Sequence, residues 1–213
     1  MRISEIYRSI QGESSYAGRP CTFVRTAGCS LRCAYCDTGY ALSFQSGTEQ
    51  PLESVIARIQ QLGADLVEIT GGEPLEEPNT PELCQRLLEL GATVLVETSG
   101  AFSIDVLPAE VVKIMDIKTP SSRMVRRNHW DNLKFLAPRD ELKFVIADRE
   151  DYDWSVAVCN ENQLFENYII HFSPSFGALD SVVLANWILE DGVAARLQLQ
   201  LHKYIWAPDA KGV

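Results

Sequence analysis

Apolar and polar positions along this chain alternate in short blocks whose period switches between that of a strand and that of a helix. Ile3 to Ile10 alternates loosely and then reaches Gln11-Gly12-Glu13-Ser14, a polar turn with a glycine inside it, as a strand does when it delivers side chains to a rim. Gly18-Arg19-Pro20 turns the chain into a second apolar run, Cys21 to Ala27, interrupted by Arg25. A polar loop, Ser43 to Gln50, precedes a helix that opens at Pro51, carries Leu52, Val55, Ile56, Ile59 and Leu62 on one face, and ends at Gly63. Leu66 to Thr70 is a short strand that runs into Gly71-Gly72-Glu73-Pro74. A second helix begins at Asn79 or Thr80, with Pro81 in its first turn, Leu83, Leu87, Leu88 and Leu90 inside, and Gly91 closing it.

The same scheme repeats downstream. Thr93 to Glu97 is a buried strand ending in Thr98-Ser99-Gly100, and Val111 to Met115 ends in Asp116-Ile117-Lys118-Thr119-Pro120. Leu142 to Ala147 is followed by an acidic helical segment from Arg149 towards Cys159. Tyr168 to Phe172 ends in Ser173-Pro174-Ser175-Phe176-Gly177, a helix runs from about Leu179 to Glu190, and Arg196 to Leu201 alternates as a last strand before His202-Lys203. Strand, polar or glycine-bearing turn, then helix is the order of a mostly parallel α/β sheet. In such folds ligands lie beyond the C-terminal strand ends, as in a TIM-type barrel. The unusual groups of this chain all sit at such positions in the pattern. Helical windows are too few for eight βα units, so the expected fold is a partial barrel, open on one side. With 213 residues and 46% hydrophobic content, one domain spanning 1–213 is expected.

A formal charge of -10 argues against a protein that grips phosphate backbones and favours a small-molecule substrate. No window reaches the ~18 apolar residues of a membrane span, and Met1-Arg2-Ile3-Ser4-Glu5 lacks the apolar run of a signal peptide, so a cytoplasmic protein is expected. Six cysteines could make three disulfides, but three of them crowd one loop, which favours reduced thiols. Cys21, Cys84 and Cys159 lie among apolar residues, as small core side chains do.

That loop is Gly28-Cys29-Ser30-Leu31-Arg32-Cys33-Ala34-Tyr35-Cys36-Asp37-Thr38. Its C-x3-C-x2-C spacing leaves a metal-ligand set one thiolate short of four. Either an iron–sulfur cube holds one iron open to a substrate or cofactor, or a zinc site is completed by Cys21, Cys84, Cys159 or a histidine. The pair Gly71-Gly72 at a strand end lets the backbone itself approach a ligand, although a turn alone would also use it. Arg25 reads as a surface residue or as an inward fork for a carboxylate. Asp116 and Lys118 could be a strand-end ion pair of little energetic weight, and Gln11 and Glu13 an exposed turn. His129 reads as a surface loop residue and His171 as a satisfied core histidine.

The cysteine spacing, with Tyr35 before the last cysteine, resembles the signature of radical S-adenosylmethionine (SAM) enzymes, and Gly71-Gly72-Glu73-Pro74 resembles the methionine-binding motif of the same family. The resemblance implies a partial barrel, in small members one with three main helices. It also implies a [4Fe-4S] cluster on Cys29, Cys33 and Cys36, whose open iron chelates SAM. A narrower resemblance spans the whole chain. Ile6 to Glu13, Gly18-Arg19-Pro20, Phe23-Val24-Arg25, Cys36-Asp37-Thr38, Thr70 to Pro74, Glu97 to Gly100, Asp116-Ile117-Lys118, Leu142 to Val145 and Gln200 to Lys203 look like 7-carboxy-7-deazaguanine synthases. That family is a lyase group that converts 6-carboxy-5,6,7,8-tetrahydropterin to 7-carboxy-7-deazaguanine on the route to queuosine, regenerating SAM.

Carried over residue by residue, the resemblance implies that Ile10, Gln11, Gly12 and Glu13 hold the pterin ring and Arg25 its carboxylate. Thr38 would ligate Mg2+, and Thr70 and His202 would approach the substrate. SAM would meet Tyr35, Cys36, Asp37 and Gly72, its ribose Asp116, Ile117 and Lys118, and its adenine Ser173, Pro174, Ser175 and Phe176. No side chain is assigned as a catalytic acid or base. Ser14 departs from the family pattern, which usually has a glycine there. The implied partners are an electron donor such as a flavodoxin or ferredoxin and a second copy in a homodimer, with no nucleic acid and no membrane. Two other functions use parts of the pattern: a radical SAM activase of a partner protein, which needs no Gln-Gly-Glu turn, and a zinc-bearing scaffold, which has no use for the glycine strand end.

Overall fold

The computed structural model describes residues 1–63 and 65–213. Nine strands form one sheet: β1 (Arg2–Ile10), β2 (Pro20–Thr26), β3 (Thr48–Glu49), β4 (Leu66–Gly71), β5 (Thr93–Thr98), β6 (Val112–Asp116), β7 (Glu141–Ile146), β8 (Ile169–Pro174) and β9 (Arg196–Leu197). Their order is β3-β1-β2-β4-β5-β6-β7-β8-β9; β2 and β4 to β9 run parallel, while β1 is antiparallel to β2 and β3 to β1. The first and last strands do not pair, which leaves the barrel open as expected.

Each central strand obeys the two-residue pleat, and its two faces do different work. The convex set, including Val24, Val67, Ile69, Val94 and Val96, is wholly apolar and packs beneath α1 (Leu52–Leu62) and α2 (Thr80–Glu89). Further along, Phe144, Ile146, Ile170 and Phe172 pack beneath α3 (Arg149–Glu161), α4 (Leu164–Asn167) and α5 (Ser181–Asp191). The concave set begins apolar and ends charged. Cys21, Phe23, Leu66, Leu95, Val112 and Ile114 form one small cluster, against which Tyr7 and Tyr16 pack. Two residues further along the same strands stand Arg25, Glu68, Glu97 and Asp116. A parallel strand buried on both faces reads as a continuous apolar run, so each of these interruptions marks the interior of the barrel.

Four expectations change. The polar loop Ser43 to Gln50 contains β3, which pairs with Arg2 and Ile3. Leu90, expected inside α2, is exposed because it caps the helix rather than continuing its buried stripe. The last strand stops at Leu197 instead of Leu201; beyond it Gln198 N bonds the Phe172 carbonyl and the chain turns into the single helical turn α6 (His202–Ile205). Finally, the Gln11–Ser14 turn does not lie at the C-terminal strand ends. Because β1 runs antiparallel, Ile10 pairs with Pro20, the first residue of β2, and Ser15 N bonds Glu141, the first residue of β7. The turn therefore enters the barrel from the end opposite the cysteine loop. It also spans the open side, where Gly12 O accepts from Leu201 N and Arg196 Nη1 lies 3.1 Å from Ser15 Oγ. Ser14 holds the left-handed conformation (φ 62°) that a glycine takes at no steric cost, and its hydroxyl accepts from Tyr16 N.

Candidate active site

One cavity of about 890 Å3 occupies the concave side, from the cysteine loop at one end to the Gln11–Glu13 turn at the other. The loop after β2 is fixed through its backbone by the strand end beside it. Gly72 N donates to Thr26 O, and Glu73 N to Gly28 O at 2.9 Å. A Cβ at Gly72 would overlap the Gly28 carbonyl oxygen, so only glycine permits this approach. Glu73 is fully buried and accepts from Leu75 N, Ser99 N and the Thr98 hydroxyl at 2.7–2.9 Å. Burial raises its pKa, against those donors.

Cys29, Cys33 and Cys36 all line the cavity, Cys29 buried and Cys36 exposed. Burial pushes the Cys29 thiol up to about 11 and raises that of Cys33, which Lys118 opposes. Thiolates here need a cation, which a cluster's irons supply. Among the described residues no three His, Cys, Asp or Glu converge as ligands of a single metal ion. A cubane makes no such demand, since each thiolate takes a different iron. Cys21, Cys84 and Cys159 are fully buried, and burial pushes the last two thiols up to about 12. These three are core residues in β2, α2 and α3.

Next to the cysteines, Asp116 and Lys118 pair at 2.7 Å, and both line the cavity. This is no solvated surface pair, and Asp116 Oδ1 has no hydrogen-bond donor. A ligand hydroxyl would complete it. Ile117 between them packs in the core, leaving its side chain no part in the cavity. Tyr35 OH lies 3.3 Å from Thr119 Oγ1, which itself donates to Val145 O. Ser173 and Ser175 are buried at the end of β8, and Phe176 is exposed with Lys203 Nζ over its ring. Thr38 Oγ1 donates to Asp37 Oδ1 at 3.0 Å, and Asp37 Oδ2 accepts from Lys203 and Gln200. Desolvation works against that carboxylate's charge, but Lys203, Gln200 and Thr38 hold its pKa well below the usual range.

At the other end, Gln11 is buried rather than exposed. Its amide donates to Glu68 and accepts from Glu13 N. Lys143 Nζ lies 2.8 Å from Glu13 Oε2 and 3.6 Å from Asp116 Oδ1, and bonds Glu97. Burial favours the neutral amine, yet these carboxylates raise the Lys143 pKa well above its ordinary value. Burial opposes the charge of Glu13 too, but Lys143 keeps its pKa low. Glu68 is the opposite case: burial, then Glu97 and Glu13, raise its pKa well above the carboxylate range.

Arg25 lines the cavity with Nε on Glu5 Oε1 at 2.8 Å and Nη2 on Tyr7 OH at 3.3 Å. Tyr40 OH also reaches Glu5, at 2.6 Å. Thr70 Oγ1 stands 3.4 Å from Glu97 Oε2. His202 packs against Gly12, where a Cβ would come 2.6 Å from Nδ1; burial lowers its pKa. His171 is buried on Glu141 at 2.6 Å and stays structural, while His129 is exposed. Sequence reasoning gave no role to Glu68, Lys143, Tyr7, Tyr40 or the segment 208–213 that also lines the cavity. Glu68 and Lys143 carried a visible signal, each a charged residue inside an apolar run, Leu66–Ile69 and Leu142–Ala147.

Comparison with known proteins places these residues in a family. The radical SAM superfamily pattern matches residues 23–117. A 7-carboxy-7-deazaguanine synthase of Koribacter versatilis (strain Ellin345) is 44% identical over the full length of both chains. One of Chlorobaculum tepidum is 43% identical, covering all of this chain and 97% of its own. The crystal structure of QueE from Escherichia coli, at 21% identity, superposes with a TM-score of 0.76 over 93% of each chain and shares the fold.

Proposed function

The chain belongs to the 7-carboxy-7-deazaguanine synthase family of radical SAM enzymes, and from that membership we propose how its residues divide the work of the family's reaction. The reaction is the Mg2+-dependent ring contraction of 6-carboxy-5,6,7,8-tetrahydropterin to 7-carboxy-7-deazaguanine, a carbon–nitrogen lyase step that releases ammonia. One observation carries the assignment. Three thiols from the loop after β2, Arg25 from the end of that strand, Lys143 from within β7, and Gln11 and Glu13 from the opposite end of the barrel face one cavity sized for a small molecule plus SAM.

Cys29, Cys33 and Cys36 hold the [4Fe-4S] cluster, and Tyr35, Cys36, Asp37 and the Gly72 backbone shape the SAM site beside it. The cluster and SAM together supply radical hydrogen abstraction at pterin C6. Asp116 Oδ1, which has no hydrogen-bond donor, suits a ribose hydroxyl, Lys118 anchors that carboxylate, and Ser173 to Phe176 face the adenine. Arg25 binds the substrate carboxylate: Glu5 and Tyr7 hold two of its three nitrogens and so aim the fork. Glu13 accepts N–H bonds from the pterin ring, with Lys143 keeping it ionised, and Thr70 and His202 flank the ring. Gln11 acts through its neighbours, tying Glu68 to the Glu13 backbone. Thr38 offers a hydroxyl to Mg2+, which takes few protein ligands and leaves room for substrate oxygens and water.

A one-electron donor such as a flavodoxin or ferredoxin reduces the cluster. A homodimer is supported by apolar side chains left exposed on α5 and α6, among them Val182, Leu189, Tyr204 and Ile205. A single domain over 1–213 is supported by the one sheet to which all nine strands contribute. No helix among the described residues is long and apolar enough to cross a membrane.

The test is anaerobic reconstitution with iron and sulfide, then SAM, Mg2+, reductant and 6-carboxytetrahydropterin. Deazaguanine product that vanishes when Cys29, Cys33 or Cys36 becomes Ala establishes cluster and reaction together. SAM cleavage without that product would leave the radical SAM assignment and remove the substrate; bound zinc with no SAM cleavage would remove both.

A further inference from the structure

The outer side of the cysteine loop carries a charge opposite to that of the chain as a whole. Arg123, Arg126 and Arg127, from the connection between β6 and β7, join Arg32 around a surface concavity of about 510 Å3 that is separate from the active-site cavity. All four side chains are exposed, and none pairs with a carboxylate within 4.0 Å among the described residues. Over the whole chain 29 Asp and Glu outnumber 19 Lys and Arg. The acid that touches this loop, Glu76, is engaged by Ser30 N at 2.6 Å.

The patch is built onto the cluster-binding loop itself. Ala34 N donates to Ser122 O, Arg32 N lies 3.5 Å from Met124 Sδ, and Arg127 Nη2 lies 3.4 Å from Ser30 Oγ. Arg32 Nη1 donates to the Cys29 and Leu31 carbonyls. These arginines therefore stand over the residues that hold the cluster, on the face that solvent reaches.

We propose that Arg32, Arg123, Arg126 and Arg127 form the docking surface for an acidic one-electron donor protein. The inference rests on the radical SAM reading, under which the cluster must be reduced from outside. One electron leaves the donor's reduced flavin or iron–sulfur group and enters the oxidised cluster, and no bond forms or breaks. Such transfer weakens steeply with distance, so the donor must settle over the loop carrying the cysteines. A net charge of -10 disfavours an acidic carrier on the chain as a whole, so a cationic patch at the cysteine loop both attracts it and sets its orientation. Arginine suits the task, since its planar, weakly hydrated fork desolvates readily against carboxylates. A nucleic acid is the competing reader of four arginines, but the same net charge opposes a strand tracking across the surface.

The experiment titrates purified flavodoxin, an acidic flavoprotein, into the reconstituted full-length enzyme and measures Kd at low and moderate salt. Arg127 and Arg32 are left alone, because both brace the cysteine loop. The double variant Arg123→Glu with Arg126→Glu should weaken binding about tenfold or more. The parent's affinity should fall as salt rises. Arg123→Lys with Arg126→Lys should retain most of the affinity, and Arg58→Glu, on α1, should retain all of it. Dithionite should bleach the cluster of the charge-reversed variant as it does the parent's, which also shows the variant folded. Equal Kd for parent and charge-reversed variant overturns the proposal, as does a parent that ignores flavodoxin and instead loses affinity for a short single-stranded RNA on charge reversal. If dithionite bleaches no cluster in the parent, the radical SAM reading is what fails, and the Kd comparison still judges the surface.

Discussion

Lys143 reaches Glu13 across 130 residues of sequence and holds its carboxylate at 2.8 Å inside the barrel. The pair joins the turn that enters from one end to a strand that leads towards the other. Around it Glu97 and Asp116 share the same ammonium, so one cation organises three carboxylates.

Lys143→Met should leave those carboxylates without their counter-charge. Removing one partner of a buried ion pair costs ~3–5 kcal/mol, so urea denaturation should show a loss of that order along with loss of product. A variant as stable as the parent would show that water had replaced the lysine at no cost.

Glu68 predicts a pH dependence of stability. Its folded pKa is raised by burial and by Glu97 and Glu13. The folded protein therefore holds a proton that the unfolded chain has lost, and the contribution is present below the unfolded pKa and declines as pH rises through the folded one. Glu68→Gln should remove that decline. Its Tm should match the parent's near pH 4 and exceed it at pH 8 to 9; parallel Tm–pH curves would contradict the protonated carboxyl.

Gly72→Ala and Gly39→Ala form a matched pair. An added Cβ overlaps the Gly28 carbonyl in the first and meets nothing within 4 Å in the second. Iron content after reconstitution and SAM binding should collapse only for Gly72→Ala.

Thr38→Ala should lower turnover and abolish its response to added Mg2+ while SAM is still cleaved. Product formation in the parent that is the same with and without Mg2+ would remove the metal role.

Ser14→Gly tests the turn that follows β1. Glycine takes the left-handed conformation freely, whereas an L-residue pays ~1 kcal/mol, and the serine offsets part of that by accepting from Tyr16 N. Tm should change by no more than a few degrees, with product formation retained.

Local chemistry was legible because it is written in short spacings. The cysteines of the loop 28–38, the glycines at 71–72 and the strand–turn–helix rhythm could all be read directly from the chain, and with them the mostly parallel open barrel; the cofactor followed from the resemblance those motifs carry. The direction of β1 was not. Alternation reads the same in an antiparallel strand, and only pairing with β2 sends Gln11 and Glu13 in from the opposite end of the barrel. Nor was the end of β9: Gln198 N still bonds the Phe172 carbonyl of β8, but the Gln200 side chain, which alternation alone would leave in a strand, is held by Glu13 and Asp37. Residue type and spacing thus determined the candidate ligands the chain carries, three thiols in one loop and a glycine pair at a strand end. Only tertiary structure decided that Glu68, Glu97, Asp116 and Lys143 share one buried charge system and that four arginines gather over the cysteine loop, because electrostatic coupling depends on distance in space and leaves no period along the chain.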